Sequence, residues 1–587
     1  MRRIRRAVFP SATILAALTL AACRAAAPPV PAVAFERDWP HHGDAGVAGR
    51  HGMVATDAPL ASDAGVEVLR AGGNAVDAAV AAGFALAVVY PEAGNLGGGG
   101  FTLVRMADGR SAAIDYREVA PLAATRDMFL DDSGRLTRRS VVGPLASGVP
   151  GSVAGLVETQ RRFGALTLPQ VLAPAIRMAE EGFTVDSLLA ASLERYAPLI
   201  GQFAGAAVFL PQGKPVPRGA TLRQPALART LRAIADSGSA AFYTGGLSRN
   251  VADDLRGAGT IITSEDLARY AVEWREPIRA TYRGRTILTM PPPSSGVTMI
   301  QALNILEGYD PLPAFGSARY AHLLASALQH AFVDRNALLA DPAFAPVPVP
   351  RLVSKSYAAG LRAGIGDRAT PTPSLLPEPG EEGGGASHTT HYSVVDAGGN
   401  AVSTTTTIND LYGSGVYLPT VGFFMNDEMD DFAGAPGRPN LFGLVQGEQN
   451  AIEPGKRMLS SMLPTIVLDR SGRPLLIVGA RGGPRIISSV TQTIVNVIDH
   501  RMSLAQAIAA PRLHHQALPD TIRYELNGLS AATLDSLRLL GYGARVFGSG
   551  AAYSPAGNIG SVNGIMRTPR GWVGVSDPRT GGRGAGY

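Results

Sequence analysis

One cysteine, Cys23, and three lysines, Lys214, Lys355 and Lys456, are all that 587 residues contain of those types. A lone thiol can make neither an internal disulfide nor a multi-thiolate zinc site, so stability has to come from packing. Charged residues amount to 17% and aromatic ones to 6%, against 46% hydrophobic. That balance, over a length of several domains, excludes a disordered tail, a collagen-like repeat and a disulfide-stapled miniprotein. No period of 20 to 50 residues recurs, which argues against a solenoid. The formal charge of +5 looks basic, but Arg2, Arg3, Arg5 and Arg6 occur with no acid before residue 23. Subtracting those four from +5 leaves +1. A remainder so nearly neutral, with no basic run interleaved with aromatics, excludes a nucleic-acid partner.

What is present begins with that basic start. After M-R-R-I-R-R the chain is apolar from Ala7 to Ala22, too short to span a bilayer as a stable helix, and reads as a signal peptide over residues 1–22. Leu20, Ala21, Ala22 and Cys23 resemble a bacterial lipobox, which implies lipidation of Cys23 and an exported, periplasmic protein held to a membrane by acyl chains. An ordinary signal peptide with a chance cysteine is the alternative. Residues 23–49, rich in Ala, Pro and Gly, read as a flexible tether.

Helical spacing predicts helices from Ala58 to Arg70 and from Asn74 to Val89, the second Ala-rich and carrying Asp77, hence buried rather than membrane-spanning. Gly97 to Gly100 precede a strand-like Phe101 to Met106; without a following Lys-Ser/Thr this is close backbone approach in a core, not a phosphate loop. Residues 150 to 280 read as mostly helical. Met290 to Gly296, with three prolines, must be an extended loop. From Ala363 to Ser387 the composition is that of a mobile surface loop. Strand-like runs Thr389 to Asp396 and Ala401 to Asn409 then join through A-G-G-N, a second hairpin pairs Thr465 to Asp469 with Leu475 to Ala480, and helices follow at Arg485 to His500 and Ser503 to Ala510. This mixture predicts an α+β fold, with sheets sandwiched between helical layers.

The junction of loop and strand carries H-T-T-H-Y-S-V-V-D at 388 to 396. Other motifs share its order with one family: A-G-N-L-G-G-G-G-F at 93 to 101, D-Y-R-E at 115 to 118 and M-P-P-P-S-S-G at 290 to 296. N-D-E-M-D-D-F at 426 to 432, L-S-S-M at 459 to 462, G-G-P-R at 482 to 485 and P-R-L-H-H-Q at 511 to 516 follow. Over about residues 50 to 587 the sequence resembles the gamma-glutamyltranspeptidase family. Membership implies an αββα N-terminal nucleophile hydrolase, made as one precursor that cuts itself between His388 and Thr389. The products would be a large subunit of residues 50–388 and a small catalytic subunit of residues 389–587.

The chemistry of such a cut stands on its own. A threonine hydroxyl needs a base, and a neutral amine can serve. An α-amine titrates near 7.8 and a lysine near 10.4, so at pH 7.5 the neutral fraction is roughly 250-fold larger for a chain terminus. Freeing the amine of Thr389 therefore makes the base. The resemblance assigns the remaining roles. Thr407 supports the nucleophile, and alternation puts Thr405, Thr407 and Asn409 on one face of their strand. Asn409, Glu428 and Asp431 hold the α-amine of a γ-glutamyl group. Arg117 grips its α-carboxylate with a planar fork, assisted by Ser460 and Ser461. Gly482 and Gly483 supply oxyanion donors.

The implied donor is glutathione or another γ-glutamyl compound, and the acceptor is water, an amino acid or a peptide. No cofactor is implied. Metal is not either: the adjacent pairs His41–His42 and His514–His515 lack zinc-hydrolase spacing and read as structural. Two other readings stay open, a glutaryl or cephalosporin acylase of the same fold and a non-catalytic binding lipoprotein. Three features depart from the family's common pattern. Val297-Thr298-Met299 follows the proline loop, Phe442 fills a lid position that is often tyrosine, and Arg481 and Pro484 flank the glycines. Pro436 to Asn450 is nevertheless full length, which predicts a lid over the site.

Overall fold

Two long antiparallel strands, Ser387–Val395 and Ala401–Asp410, lie at the centre of the fold and place Thr389 opposite Thr407 and Val395 opposite Ala401. Their β-branched side chains suit a pleated surface buried on both faces. The computed structural model describes residues 33, 35–41, 46–372, 387–547 and 558–587, with residues 387 and 388 described by backbone alone. The signal peptide and Cys23 lie outside the described residues, as do 373–386 of the expected surface loop.

One seven-stranded sheet runs, in spatial order, Arg583–Gly586, Met53–Thr56, Ser387–Val395, Ala401–Asp410, Gly99–Arg105, Ser111–Asp115 and Glu273–Arg275. The other runs Val47–Gly49, Gly571–Ser576, Ser561–Thr568, Pro474–Arg481, Thr465–Leu468, Arg285–Thr289 and Ile278–Tyr282. Helices Pro59–Arg70, Ala75–Val89, Ser152–Phe163 and Leu168–Glu181 pack on the outer face of the first sheet, against Val54, Val104, Ile114, Val394 and Val402. On its inner face Met53, Ala55, Phe101, Leu103 and Ala401 share a core with Ile477, Val478 and Ile466 of the second sheet. Helices Gly296–Glu307, Ala318–Leu338 and Arg485–Ile498 close the far side. This is the αββα sandwich expected from the motifs.

Asp77, the one acid in the Ala-rich helix, is satisfied where it is buried: it completes a capping box with Asn74 and accepts the Ala165 N–H at 2.8 Å. The glycine run is a crossing point of backbones. A Cβ on Gly98 would stand 2.0 Å from the Thr407 carbonyl oxygen, and one on Gly100 would stand 2.5 Å from that of Thr405.

Two expectations differ from the structure. The stretch read as helical to residue 280 ends in strands Glu273–Arg275 and Ile278–Tyr282, because Arg283 and Gly284, both at positive φ, turn the chain tightly back into Arg285–Thr289. The expected tether is not free as far as residue 49. Trp39 is buried, donates its indole N–H to the Ala509 carbonyl at 3.0 Å and lies under the Arg579 guanidinium, while Val47–Gly49 is an edge strand. A large amphipathic ring outweighs the Pro- and Ala-rich composition around it.

Candidate active site

Thr389, 5% exposed, sits where the central ladder changes register: Ser387 faces Asp410 but Thr389 faces Thr407. The extra residue lies on the partner strand, where Asn409 adopts φ 75°, and such bulges re-aim side chains beside active sites. The Thr389 hydroxyl lies 3.4 Å from that of Thr407, whose oxygen in turn accepts the Asn409 N–H at 2.8 Å. Behind them the buried imidazole of His391 bridges the hydroxyls of Thr405 and Ser393 at 2.9 and 3.0 Å. Burial pushes this imidazole down to about 3, so it is neutral and works as a spacer, not as a proton carrier. Its ring packs on Gly479, where a Cβ would come within 2.3 Å, and this seats the strand Pro474–Arg481 against the nucleophile strand.

The acids and the arginine of the expected substrate grip are brought together. Arg117 is fully buried, and its fork is taken up by Glu428 through Nη1 and by Asp431 through Nη2, with Glu118 at 3.4 Å from Nη1. Burial raises the carboxyl groups of Glu428, Asp431 and Glu118, while Arg117 opposes that shift in each. Oε2 of Glu428 is buried and has no hydrogen-bond partner among the described residues. Asn409 donates its amide to the Asp427 carbonyl at 3.0 Å, beside this turn. The turn itself is set by Asn426, which accepts the Glu428 N–H at 3.1 Å and donates to the carbonyls of Gly97 and Gly148 at 2.7 and 2.8 Å. The glycine run and the acidic turn are thus one construction.

Ser460 and Ser461 hang on the proline loop. Ser460 N–H donates to the Pro293 carbonyl at 2.7 Å, Ser294 donates to the Met462 carbonyl at 2.6 Å, and Ser295 donates to the Ser460 carbonyl at 2.6 Å. Arg117 reaches the same segment through Nε to the Met458 carbonyl at 3.3 Å. The loop that its prolines kept from helix formation is therefore the frame for the serine pair.

Gly482 and Gly483 adopt φ 135° and 55°, which L side chains rarely tolerate, and their carbonyls accept the N–H groups of Arg485 and Ile486 at the start of Arg485–Ile498. Among the described residues neither glycine amide donates to a protein acceptor. Arg481 turns away from them to the Tyr90 hydroxyl, with Glu92 at 3.9 Å. The expected lid segment folds on itself, Gly437 N–H to the Gln446 carbonyl at 2.9 Å, and is tied to the acidic turn by Leu441 N–H to Asp430 Oδ2 at 2.8 Å. Phe442 in it is buried.

His514 bonds Ser488 and Gln516 at 2.6 and 2.8 Å, and His515 bonds Asp520 at 3.1 Å, so both rings are spent on protein groups. Among the described residues no group of three or more His, Cys, Asp or Glu side chains could hold a metal ion. The sequence reading passed over Glu118, His391 and Arg335. The one signal for Arg335 is an arginine at helical spacing from the apolar Ala331, Phe332 and Leu328.

A family model for gamma-glutamyltranspeptidase matches residues 61–587. Over 580 residues, covering 96% of this chain and 97% of the relative, the sequence is 44% identical to the glutathione hydrolase proenzyme of Escherichia coli (strain K12). Over 512 residues, covering 84% of this chain and 89% of the relative, it is 43% identical to the acylase ACY 1 proenzyme of Pseudomonas sp. (strain SE83). Among solved structures, the cephalosporin acylase from Bacillus halodurans is similar with a TM-score of 0.81 and 29% identity, over 94% of this chain and 99% of that one.

Proposed function

The chain belongs to the gamma-glutamyltranspeptidase family, and from that premise we propose that Thr389, freed by self-cleavage, carries the γ-glutamyl group of glutathione or a related donor to water or an acceptor amine. The enzyme is a γ-glutamyl transferase and hydrolase made as a proenzyme. Its large subunit would be residues 50–388 and its small subunit residues 389–587. The new α-amine takes the proton of the Thr389 hydroxyl as that oxygen attacks the γ-carbonyl, and Thr407 steadies the oxygen. Gly482 and Gly483 meet the developing oxyanion, where losing one donor typically costs about 10²- to 10³-fold in rate. The proton then passes to the leaving amine. Water or an acceptor amine next attacks the γ-glutamyl ester, with the same amine as base, and restores Thr389.

One observation carries the substrate assignment: the buried, unpartnered Oε2 of Glu428 beside an arginine already flanked by acids. A γ-glutamyl head is a zwitterion. Its ammonium supplies the donor that Oε2 lacks, with Asp431 and Asn409 alongside, and its carboxylate takes over the Arg117 fork with Ser460 and Ser461. Both new pairs replace an existing one, so little uncompensated charge is buried.

Similarity to acylases supports a second reading, a glutaryl or cephalosporin side chain as substrate. Such a group keeps the carboxylate and lacks the amine, which would leave Glu428 Oε2 without a partner. Turnover of γ-glutamyl and glutaryl p-nitroanilides decides between them, and a preference for glutaryl overturns the first reading. A non-catalytic binding lipoprotein would turn over neither. Thr389→Ala is expected to give one uncleaved, inactive chain; an uncleaved wild type that is active refutes the Thr389 mechanism.

Export to the periplasm and anchoring through lipidated Cys23 complete the proposal. Cys23→Ser is then expected to move the enzyme from the membrane fraction to the soluble one. Equal membrane association of wild type and variant argues against the anchor.

A further inference from the structure

Among the described residues, fully or largely buried arginines face acids: Arg117 on Glu428 and Asp431, Arg457 on Asp115, Arg512 on Asp577, and Arg579 on Glu525 and Asp577. Arg335 differs. It lies in helix Ala318–Leu338, is 1% exposed, and forms no ion pair with a carboxylate among the described residues. Among the described residues its guanidinium bonds only neutral oxygens: Nε to Ser295 Oγ at 2.9 Å, Nη1 to Asn336 Oδ1 at 3.3 Å and Nη2 to Ser461 Oγ at 3.0 Å. Burial lowers it to about 10, with Asp431 opposing that shift and Arg117 adding to it, so it remains a cation at neutral pH. A buried cation without a counter-ion is costly and invites an anion.

The bonds fix proton directions. Guanidinium nitrogens only donate, so Ser461 Oγ must accept from Arg335 and keeps its own proton to give. Ser460 Oγ accepts the Met462 N–H at 3.1 Å and likewise keeps its proton. Ser295 accepts from Arg335 and donates to the Ser460 carbonyl, so the same guanidinium holds the backbone between the two serines. We infer that Arg335 is a positioning residue of the carboxylate subsite: it turns the Ser461 hydroxyl into a fixed donor toward the α-carboxylate and supplies positive charge that Arg117 shares with Glu428 and Asp431. This rests on the reading of Ser460 and Ser461 as carboxylate contacts.

The test uses three p-nitroanilides: γ-glutamyl, glutaryl, which lacks the amine, and 4-aminobutyryl, which lacks the carboxylate. In Arg335→Gln, KM for the γ-glutamyl donor is expected to rise about 10- to 100-fold, the range set by losing one charge-assisted hydrogen bond, with a much smaller change in kcat. The advantage of both carboxylated donors over the 4-aminobutyryl one should shrink by the same factor. In a cycle with Ser461→Ala, the second substitution should add less than it does alone. A fall in kcat at unchanged KM, equal losses on all three donors, or full additivity with Ser461→Ala overturns the inference. Should Arg335→Gln accumulate only as uncleaved chain, Arg335→Lys carries the same test, since it keeps the charge but cannot hold Ser295 and Ser461 with one planar fork. A wild type inactive on the γ-glutamyl donor would refute the function; an active wild type with unmoved ratios in the variants refutes only the role of Arg335.

Discussion

Asp431→Asn isolates the charge that the site offers to a donor amine. Asp431 and Glu428 together engage the Arg117 fork, with Glu118 beside it, and the asparagine carbonyl can still accept from Nη2, so the buried arginine keeps a hydrogen bond and loses one of its three acidic neighbours. Toward an ammonium group the change replaces an ion-paired bond with one in which only the donor is charged, from about 3 kcal/mol to about 1.5–2 kcal/mol within the range of charge-assisted hydrogen bonds. The difference of about 1–1.5 kcal/mol predicts a roughly 5- to 13-fold fall in kcat/KM for the γ-glutamyl anilide. A glutaryl anilide has no amine to lose, and a less neutralised Arg117 holds its carboxylate at least as well. Steady-state kinetics on the two anilides should therefore show their ratio falling by that factor, with the 389–587 fragment formed as in wild type. Equal losses on both donors would refute the assignment of Asp431 to the amine.

Other perturbations follow from the same geometry. Asp410 is raised to about 7, chiefly by burial, with the charge of Asp430 adding and the Leu411 N–H opposing. Between the ordinary carboxylate value near 4 and pH 7 the folded chain holds a proton that the unfolded chain has released, so this group lowers stability as pH rises through that window. Asp410→Asn keeps an oxygen for the Leu411 N–H and should raise the midpoint of thermal unfolding at pH 7.5 more than at pH 4.5; an equal shift at both excludes the raised carboxyl. Gly98→Ala forces a methyl to within 2.0 Å of the Thr407 carbonyl and 2.7 Å of Asn95 Oδ1. It should cost about 1–3 kcal/mol or more and slow self-cleavage, read by urea unfolding and denaturing electrophoresis.

Much of the architecture was legible because it rests on local signals. The helices Pro59–Arg70 and Ala75–Val89 and the central hairpin begin and end within a residue or two of their periodic patterns. Motif order brought Thr389, Thr407, Asn409, Glu428, Asp431, Arg117 and the serine pair into view. What stayed hidden depends on distant partners. Nothing local tells that Trp39 docks on Ala509, that Arg117 is held by the same acids that would serve the substrate, or that Arg335 ends on Ser461 across 126 positions. Asp427, Asp430 and Asp431 look in sequence like a solvated acidic turn, but burial raises the carboxyl groups of all three, and neighbouring acids add to the shift in Asp427 and Asp430.

The central claim is a γ-glutamyl ester on a self-generated N-terminal threonine. Acid-quenching the enzyme during turnover and measuring intact mass under denaturing conditions tests it most directly. The prediction is two fragments, the smaller beginning at Thr389 and partly heavier by one γ-glutamyl group, with the added mass on Thr389 in its N-terminal peptide. An active chain that remains uncut, or a γ-glutamyl group found on any other residue, would contradict it.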